Sequence, residues 1–231
     1  MMEKLLEIRH LTKKYGQRII LDDVNISIDR GKIVGVIGCN ASGKTTLFKI
    51  LAGLTNVSCG DVRILGHELG LKTKAMVSFM SESSDFAQWV KIKDAKQFYR
   101  DFYTDYDENK MQQLLDWLDL DEGQKIHSLS KGTRERLQLA LTLSRNARLY
   151  ILDEPITGVD PIVRDKILDA IVKFYNEDSS ILISTHFITQ MERLFDELLV
   201  IKNKTIIHYE DLDRIRDTAG KSLEQWGKEE I

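Results

Sequence analysis

Residues 38–46 read GCNASGKTT, and Gly38, Gly43, Lys44 and Thr45 meet the spacing G-x-x-x-x-G-K-[ST]. That spacing suits phosphate chemistry. In such a loop the backbone N–H groups of Cys39, Asn40, Ala41, Ser42 and Gly43 can face one concavity, and a helix that begins at Gly43 and carries Lys44, Thr45 and Thr46 adds positive potential to it. Lys44 would then be the mobile charge on the β- and γ-phosphates of a nucleotide, with the Thr45 hydroxyl as a Mg²⁺ ligand. A glycine-rich turn before a helix is the bland alternative. The strand-to-helix setting of the loop favours phosphate binding over that turn. Cys39 and Ala41 sit where side chains can vary provided the backbone path is kept; whether Ala41 needs a positive φ is a question the sequence leaves open.

Nucleotide chemistry also needs a carboxylate to hold a metal, and LYILDEP at 149–155 offers Asp153 and Glu154 at the end of an apolar strand. An Asp there can orient hydrated Mg²⁺, and the adjacent Glu can take a proton from attacking water. Buried strands also end in acidic turns for solubility alone; the upstream loop tips the reading towards chemistry.

The elements that must position these groups are legible from periodicity. IVGVIG at 33–38 is a short continuous apolar run, the mark of a strand covered on both faces, and GKTTLFKILAG reads as a helix ending at Gly53. Val24, Ile26 and Ile28 alternate with polar residues after a turn near Tyr15-Gly16, as in a half-buried strand. DVRILG, AMVSFM, LYILDEP and SSILIST read as further strands. From about Lys93 to Arg145 the pattern is helical: Met111, Leu114, Leu115 and Leu118 share one face, with Asp107 as N-cap. Asp160-Pro161 is an N-cap and N1 pair for a helix carrying Val163, Ile167, Ala170, Ile171 and Phe174. LLVIKNKTIIH closes the order as a hairpin turning at Asn203-Lys204, and a polar tail follows Asp211. Strands alternating with helices predict a mostly parallel α/β sheet interrupted by a helical lobe.

Bulk properties narrow the function classes. The 231 residues are 42% hydrophobic, enough for one substantial core with a lobe inserted in it. Lys and Arg total 33 against 36 Asp and Glu, a net charge of −3, so no whole-molecule field favours nucleic acid. Cys39 and Cys59 form no C-x-x-C pair, which fits a reducing cytoplasm. No apolar run approaches the roughly 18 residues of a spanning helix, so direct membrane insertion is not expected.

Adenylate-kinase-like enzymes, GTPases and helicases share everything up to this point. The stretch LSKGTRERLQLALTLSRN, 129–146, discriminates among them: it resembles the LSGGQ signature of ABC ATPases, with Ser130 and Gly132 kept. Ser130 can cap a helix whose apolar face is Leu137, Ala140 and Leu141. The resemblance spans residues 3–210 and implies a P-loop NTPase fold: a RecA-like core with a mostly parallel sheet, an N-terminal antiparallel β subdomain, and a helical subdomain inserted at about residues 85–145, all within one ABC ATPase domain. It further implies ATP and Mg²⁺ at the loop, with Lys44, Glu154 and His186 in the chemistry and Thr45, Asp153 and Glu82 on the metal. Ser130 and Gly132 would touch the ATP of an opposite subunit in a homodimer or heterodimer. Tyr15 matches an aromatic that stacks on adenine, and it reads equally as a turn aromatic. Asp160 matches a D-loop aspartate, although helix capping suits it as well. His186, in LISTHF, matches a switch histidine on the γ-phosphate.

Four positions depart from the common pattern. Lys131 and Thr133 replace a Gly and a Gln of the signature, Ala41 replaces a loop glycine, and Glu82 stands where a glutamine on the nucleotide and metal is expected. Glu at that position, with WVKIKDA and LSKG, resembles the ABC-2-type exporter branch. The implied function is the ATP-hydrolysing subunit that drives export of a small molecule or peptide through separate transmembrane permease subunits, on the cytoplasmic face of the membrane. The segment SSDFAQWVKIKDAKQFYRDFY, just past Glu82 and carrying Phe86 and Trp89, is the expected docking surface; those aromatics could instead pack within the helical lobe. A soluble ABC ATPase uncoupled from transport, and last a P-loop metabolite kinase, are the competing readings.

Overall fold

The computed structural model describes residues 4–81, 90–176, 178–220 and 222–230. The chain starts with a long hairpin, β1 (Lys4–Tyr15) and β2 (Arg18–Asp29), turning through Gly16 at φ +58°. Strand β3 (Ile33–Ile37) feeds the phosphate loop and helix α1 (Lys44–Leu51). There follow β4 (Cys59–Ile64), β5 (His67–Glu68), the short helix α2 (Leu71–Met76) and β6 (Val77–Met80). Helices α3 (Ile92–Phe102), α4 (Glu108–Trp117) and α5 (Lys131–Leu143) lead to β7 (Leu149–Asp153) and α6 (Pro161–Phe174). The chain finishes with β8 (Ser180–Ser184), α7 (Ile188–Met191), β9 (Glu197–Lys202), β10 (Thr205–Asp211), α8 (Leu212–Ala219) and α9 (Leu223–Glu230).

Two sheets result. One is antiparallel, ordered β2-β1-β4-β5; the other runs β10-β9-β3-β8-β7-β6, parallel from β9 to β6 with β10 antiparallel at its edge. In β3, β7 and β8 every residue is buried, as expected of parallel strands covered on both faces. Their alternating side chains supply two separate cores. Ile33, Ile37, Tyr150 and Leu152 pack with the helices α4 to α6, while Val34, Val36, Leu149 and Ile151 pack with α1 and the antiparallel sheet.

Several expected elements form where the pattern placed them. Asp107 caps α4 by accepting from Lys110 N at 2.9 Å, and Met111, Leu114, Leu115 and Leu118 are all buried. Asp160 caps α6 through Ile162 N at 2.8 Å, with Pro161 in the first turn. Asn203 and Lys204 both adopt positive φ, 51° and 72°, the geometry of a two-residue hairpin turn.

Others differ. Ala75 and Met76, expected in a strand, close α2, and only Val77–Met80 extend. The residues after Asp211 are not a polar tail but two helices, because Leu212, Ile215, Leu223 and Trp226 bury an apolar stripe on the larger core. Four apolar residues among many charges are a thin signal until a tertiary surface receives them. Glu82, Phe86 and Trp89 lie outside the described residues.

Arg145 joins the helical segment to the sheet. Only 3% exposed, its guanidinium donates to Val77 O at 2.7 Å, Ala75 O at 2.8 Å and Asp105 Oδ1 at 2.9 Å, and lies 3.9 Å from the Tyr103 ring centre.

Candidate active site

The loop between β3 and α1 is shaped by contacts that exclude side chains. A Cβ on Gly38 would stand 2.4 Å from Ile201 O, and one on Gly43, at φ +113°, would stand 2.7 Å from Leu21 Cδ2. Ala41 adopts φ +62°, so a residue with a Cβ holds the left-handed conformation there. The first backbone bond of α1 runs from Leu47 N to Gly43 O at 2.8 Å, so the amides before it open the helix without intrahelical acceptors. Lys44 is buried and folds back on the loop, donating to Gly38 O at 2.7 Å and Cys39 O at 3.1 Å. Burial pushes its ammonium below the usual lysine range, while the carboxylates of Glu154 and Asp153 oppose the shift.

The ends of β7 and β8 face this loop. Ser184 Oγ donates to Asp153 Oδ1 at 2.6 Å and accepts from Glu154 N at 2.9 Å, linking the two acids through one hydroxyl. Glu154 turns at φ +53°, and its Oε2 accepts from Thr157 Oγ1 at 2.9 Å and faces His186 Nδ1 at 2.9 Å. Among the described residues, Asp153 Oδ2 is buried and has no partner, and neither does Ser42 Oγ. An unpartnered buried carboxylate oxygen beside an anion-binding loop is the donor a hard cation would use, so the residues present fit Mg²⁺.

These groups line one cleft of 570 Å³, formed by Arg18, Ile20, Asn40 to Thr46, Asp153, Glu154, Thr157 and His186. Of the expected residues, Asn40, Ala41, Ser42, Gly43, Lys44, Thr45, Thr46, Asp153, Glu154 and His186 come together here. Gly38 and Cys39 sit behind it and contribute carbonyls to Lys44. Tyr15 is half exposed and does not line the cleft; Lys13 Nζ lies 4.6 Å from its ring centre. Ser130 and Gly132 are elsewhere, at the start of α5, where Ser130 Oγ accepts from Thr133 N at 3.2 Å. Thr133 therefore partners the serine that it follows, its own Oγ1 2.8 Å from Ser130 Oγ. Sequence reasoning missed Arg18, Ile20, Thr157 and Ser184. None belongs to the loop or the acidic strand: Arg18 and Ile20 come in with the packing of β2, Ser184 with the pairing of β8, and Thr157 with the turn after β7, where its N–H donates to Glu154 O at 3.2 Å.

The ABC transporter family profile matches residues 21–157, more than half of the chain. This chain belongs to the ABC transporter family. It is 31% identical over 211 residues to the lantibiotic transport ATP-binding protein SrtF of Streptococcus pyogenes, an alignment covering 90% of this chain and 92% of that one. A solved ATP-binding subunit of an ABC transporter matches at a TM-score of 0.87 and 26% identity, over 97% of this chain and 98% of its own. A dimeric ATP-binding cassette in a post-hydrolysis state, bound to ADP and Pi, shares the fold at a TM-score of 0.79 and 22% identity, over 90% and 99%. As an ABC ATPase, the chain is an ATP-binding and ATP-hydrolysing subunit, and the expected family, fold class and enzyme activity are borne out. Among the described residues no helix is long and apolar enough to cross a membrane.

Proposed function

We propose that this ABC ATPase powers export of a small molecule or peptide through separate transmembrane subunits, working at the cytoplasmic face of the membrane as one half of a head-to-tail dimer. The observation that carries the catalytic part is the shared Ser184 hydroxyl. It fixes Asp153 beside the phosphate loop and Glu154 next to it, so a metal-holding acid and a proton acceptor are supplied together. ATP would lie along the loop amides, with Lys44 exchanging the Gly38 and Cys39 carbonyls for phosphate oxygens. Mg²⁺, held by Thr45 and Asp153, would supply charge neutralisation at the transferring phosphate. Glu154 would take the proton of the attacking water on Oε1, since Thr157 and His186 both meet Oε2. His186, oriented by that contact, would address the γ-phosphate.

The start of α5 supports the dimer reading. Ser130 and Gly132 lie off the cleft, at the N-terminus of α5, where Ser130 is exposed and a Cβ on Gly132 would meet nothing within 4 Å, room for a group presented by another subunit. A transport role is supported by the likeness to a lantibiotic transport ATP-binding protein, and the export direction by the likeness to a Nod factor export ATP-binding protein of Ralstonia nicotianae, 29% identical over 211 residues. A transmembrane partner is supported by a second groove of 700 Å³, which exposed Leu54, Leu71 and Phe102 line together with Val77, Ser78 and Phe79 of β6. Phe98, exposed on the same helix as Phe102, extends that apolar surface. The expected docking segment reaches this groove through α3, so its described part belongs to the proposed surface.

The test is the solution mass of Glu154→Gln with and without Mg-ATP. A dimer that forms only with nucleotide supports the clamp. A monomer at saturating ATP, with ATP binding intact, removes the self-dimer, and Ser130→Arg turnover in the presence of the membrane subunits then decides whether the signature acts in trans.

A further inference from the structure

Among the groups lining the cleft, Arg18 has no assigned role. The other basic side chains there are engaged: Lys44 donates to two loop carbonyls and His186 faces Glu154. Both carboxylates of the cleft are also engaged, Asp153 by Ser184 and Glu154 by Thr157 and His186. Arg18 is exposed and makes no ion pair or side-chain hydrogen bond among the described residues, so its guanidinium lines an anion-binding cleft with its full charge uncommitted.

Its backbone, in contrast, is fixed. Arg18 is paired with Tyr15 at the closed end of the β1–β2 hairpin, and the strand it begins packs against the phosphate loop. A Cβ on Gly43 would lie 2.7 Å from Leu21 Cδ2 and 3.3 Å from Ile20 O, which measures how closely β2 approaches. The same strand is tied to the hairpin turn of β9 and β10 by Asp22 N donating to Lys204 O at 2.8 Å. Arg18 and Ile20 are two residues apart on β2 and so project to one face, the one lining the cleft. An apolar residue and an unpaired cation side by side, opposite a row of loop amides, match a ligand that is flat and apolar at one end and anionic at the other.

We infer that Arg18 is a nucleotide-binding residue that engages the phosphate chain of ATP from the hairpin side, opposite the loop amides and Lys44. This rests on the reading of the cleft as the ATP site. A guanidinium can span two phosphate oxygens in a way an ammonium cannot, so Arg18 adds orientation as well as charge. Tyr15, outside the cleft with Lys13 at its ring, is not required for the contact.

The experiment is calorimetric titration of ATP, ADP and adenosine, with Mg²⁺ present, into the wild type, Arg18→Ala, Arg18→Glu and Arg18→Lys, with Lys44→Ala as a control. Arg18 has no side-chain partner to lose, so all variants are expected to fold, which unchanged thermal midpoints verify. The expected result is ATP affinity weakened roughly 5- to 20-fold by Arg18→Ala, the range of a charge-assisted bond at a partly solvated rim. Arg18→Glu weakens it further, Arg18→Lys restores part, the loss is smaller for ADP, and adenosine is unaffected. Wild-type ATP affinity in both Arg18→Ala and Arg18→Glu overturns the inference while leaving the site reading intact. Equal losses for ATP and adenosine overturn the phosphate assignment in favour of a base contact. Absence of ATP binding to the wild type, or wild-type affinity in Lys44→Ala, overturns the site reading itself.

Discussion

His186 Nδ1 stands 2.9 Å from Glu154 Oε2, although one residue follows β8 and the other follows β7. The strands are adjacent and parallel, with Asp153 in register with Ser184, so the residues just past their ends are brought together. The contact fixes which oxygen of Glu154 is occupied. Glu154→Gln is expected to bind ATP and to release phosphate at least roughly 100-fold more slowly, the scale of lost general-base catalysis. His186→Ala should lower kcat with a smaller change in KM. Phosphate release measured across ATP concentrations separates the two parameters, and an unchanged kcat in either variant contradicts the assignment.

Asp153 Oδ2 is buried without a partner while Oδ1 is held by Ser184. Asp153→Asn should therefore raise the Mg²⁺ concentration needed for half-maximal turnover by about 10-fold or more and leave nucleotide binding without metal little changed. A Mg²⁺ titration at fixed ATP reads this directly. Ser184→Ala, which frees both the Oδ1 of Asp153 and the amide of Glu154, should show part of the same shift together with a lower thermal midpoint.

Ala41 keeps φ +62° inside the phosphate loop. Left-handed backbone costs a residue with a Cβ about 1 kcal/mol, and glycine escapes most of it. Ala41→Gly is expected to tighten ATP binding a few-fold, because the loop no longer resists the bound conformation, and calorimetry checks the sign. Weaker binding would show that the alanine instead restrains the empty loop usefully.

Glu135 is buried on α5 and its carboxyl is pushed up to about 7, chiefly by burial, against the opposing charge of Lys131 at 3.7 Å. The folded protein thus binds this proton more tightly than the unfolded chain does. Stability from this group is full below the unfolded value of about 4.5 and is lost as pH rises through 7. Glu135→Gln, which cannot ionise, should gain on the order of 2 kcal/mol relative to the wild type at pH 8, with the difference shrinking towards pH 5. Denaturant unfolding at both pH values measures it.

The apolar groove beside β6 predicts a partner contact. Phe102→Asp or Leu71→Asp, both at exposed positions, should leave ATP turnover of the isolated subunit and its thermal midpoint unchanged while abolishing co-purification with the transmembrane subunits. Intact co-purification of both variants would place the docking surface elsewhere.

The sequence by itself determined the elements whose causes are local. The apolar run of β3, the glycines of the loop, the caps at Asp107 and Asp160, and the Asn203-Lys204 turn follow from steric and hydrogen-bonding rules that act within a few residues, and the phosphate loop and acidic strand were legible for that reason. The helices after Asp211 were not, because their few apolar residues gain nothing until the core offers them a surface. Nor were Arg18, Thr157 and Ser184 legible as cleft residues. A Ser or an Arg at a strand end is ordinary in itself, and only the parallel pairing of β7 with β8 and the approach of β2 to the loop put Ser184 and Arg18 within reach of Asp153, Glu154 and the phosphate site, whereas Thr157 meets Glu154 through the local turn after β7. Proximity between strands far apart in the chain is a tertiary property, and that is where the chemistry of this cleft was decided.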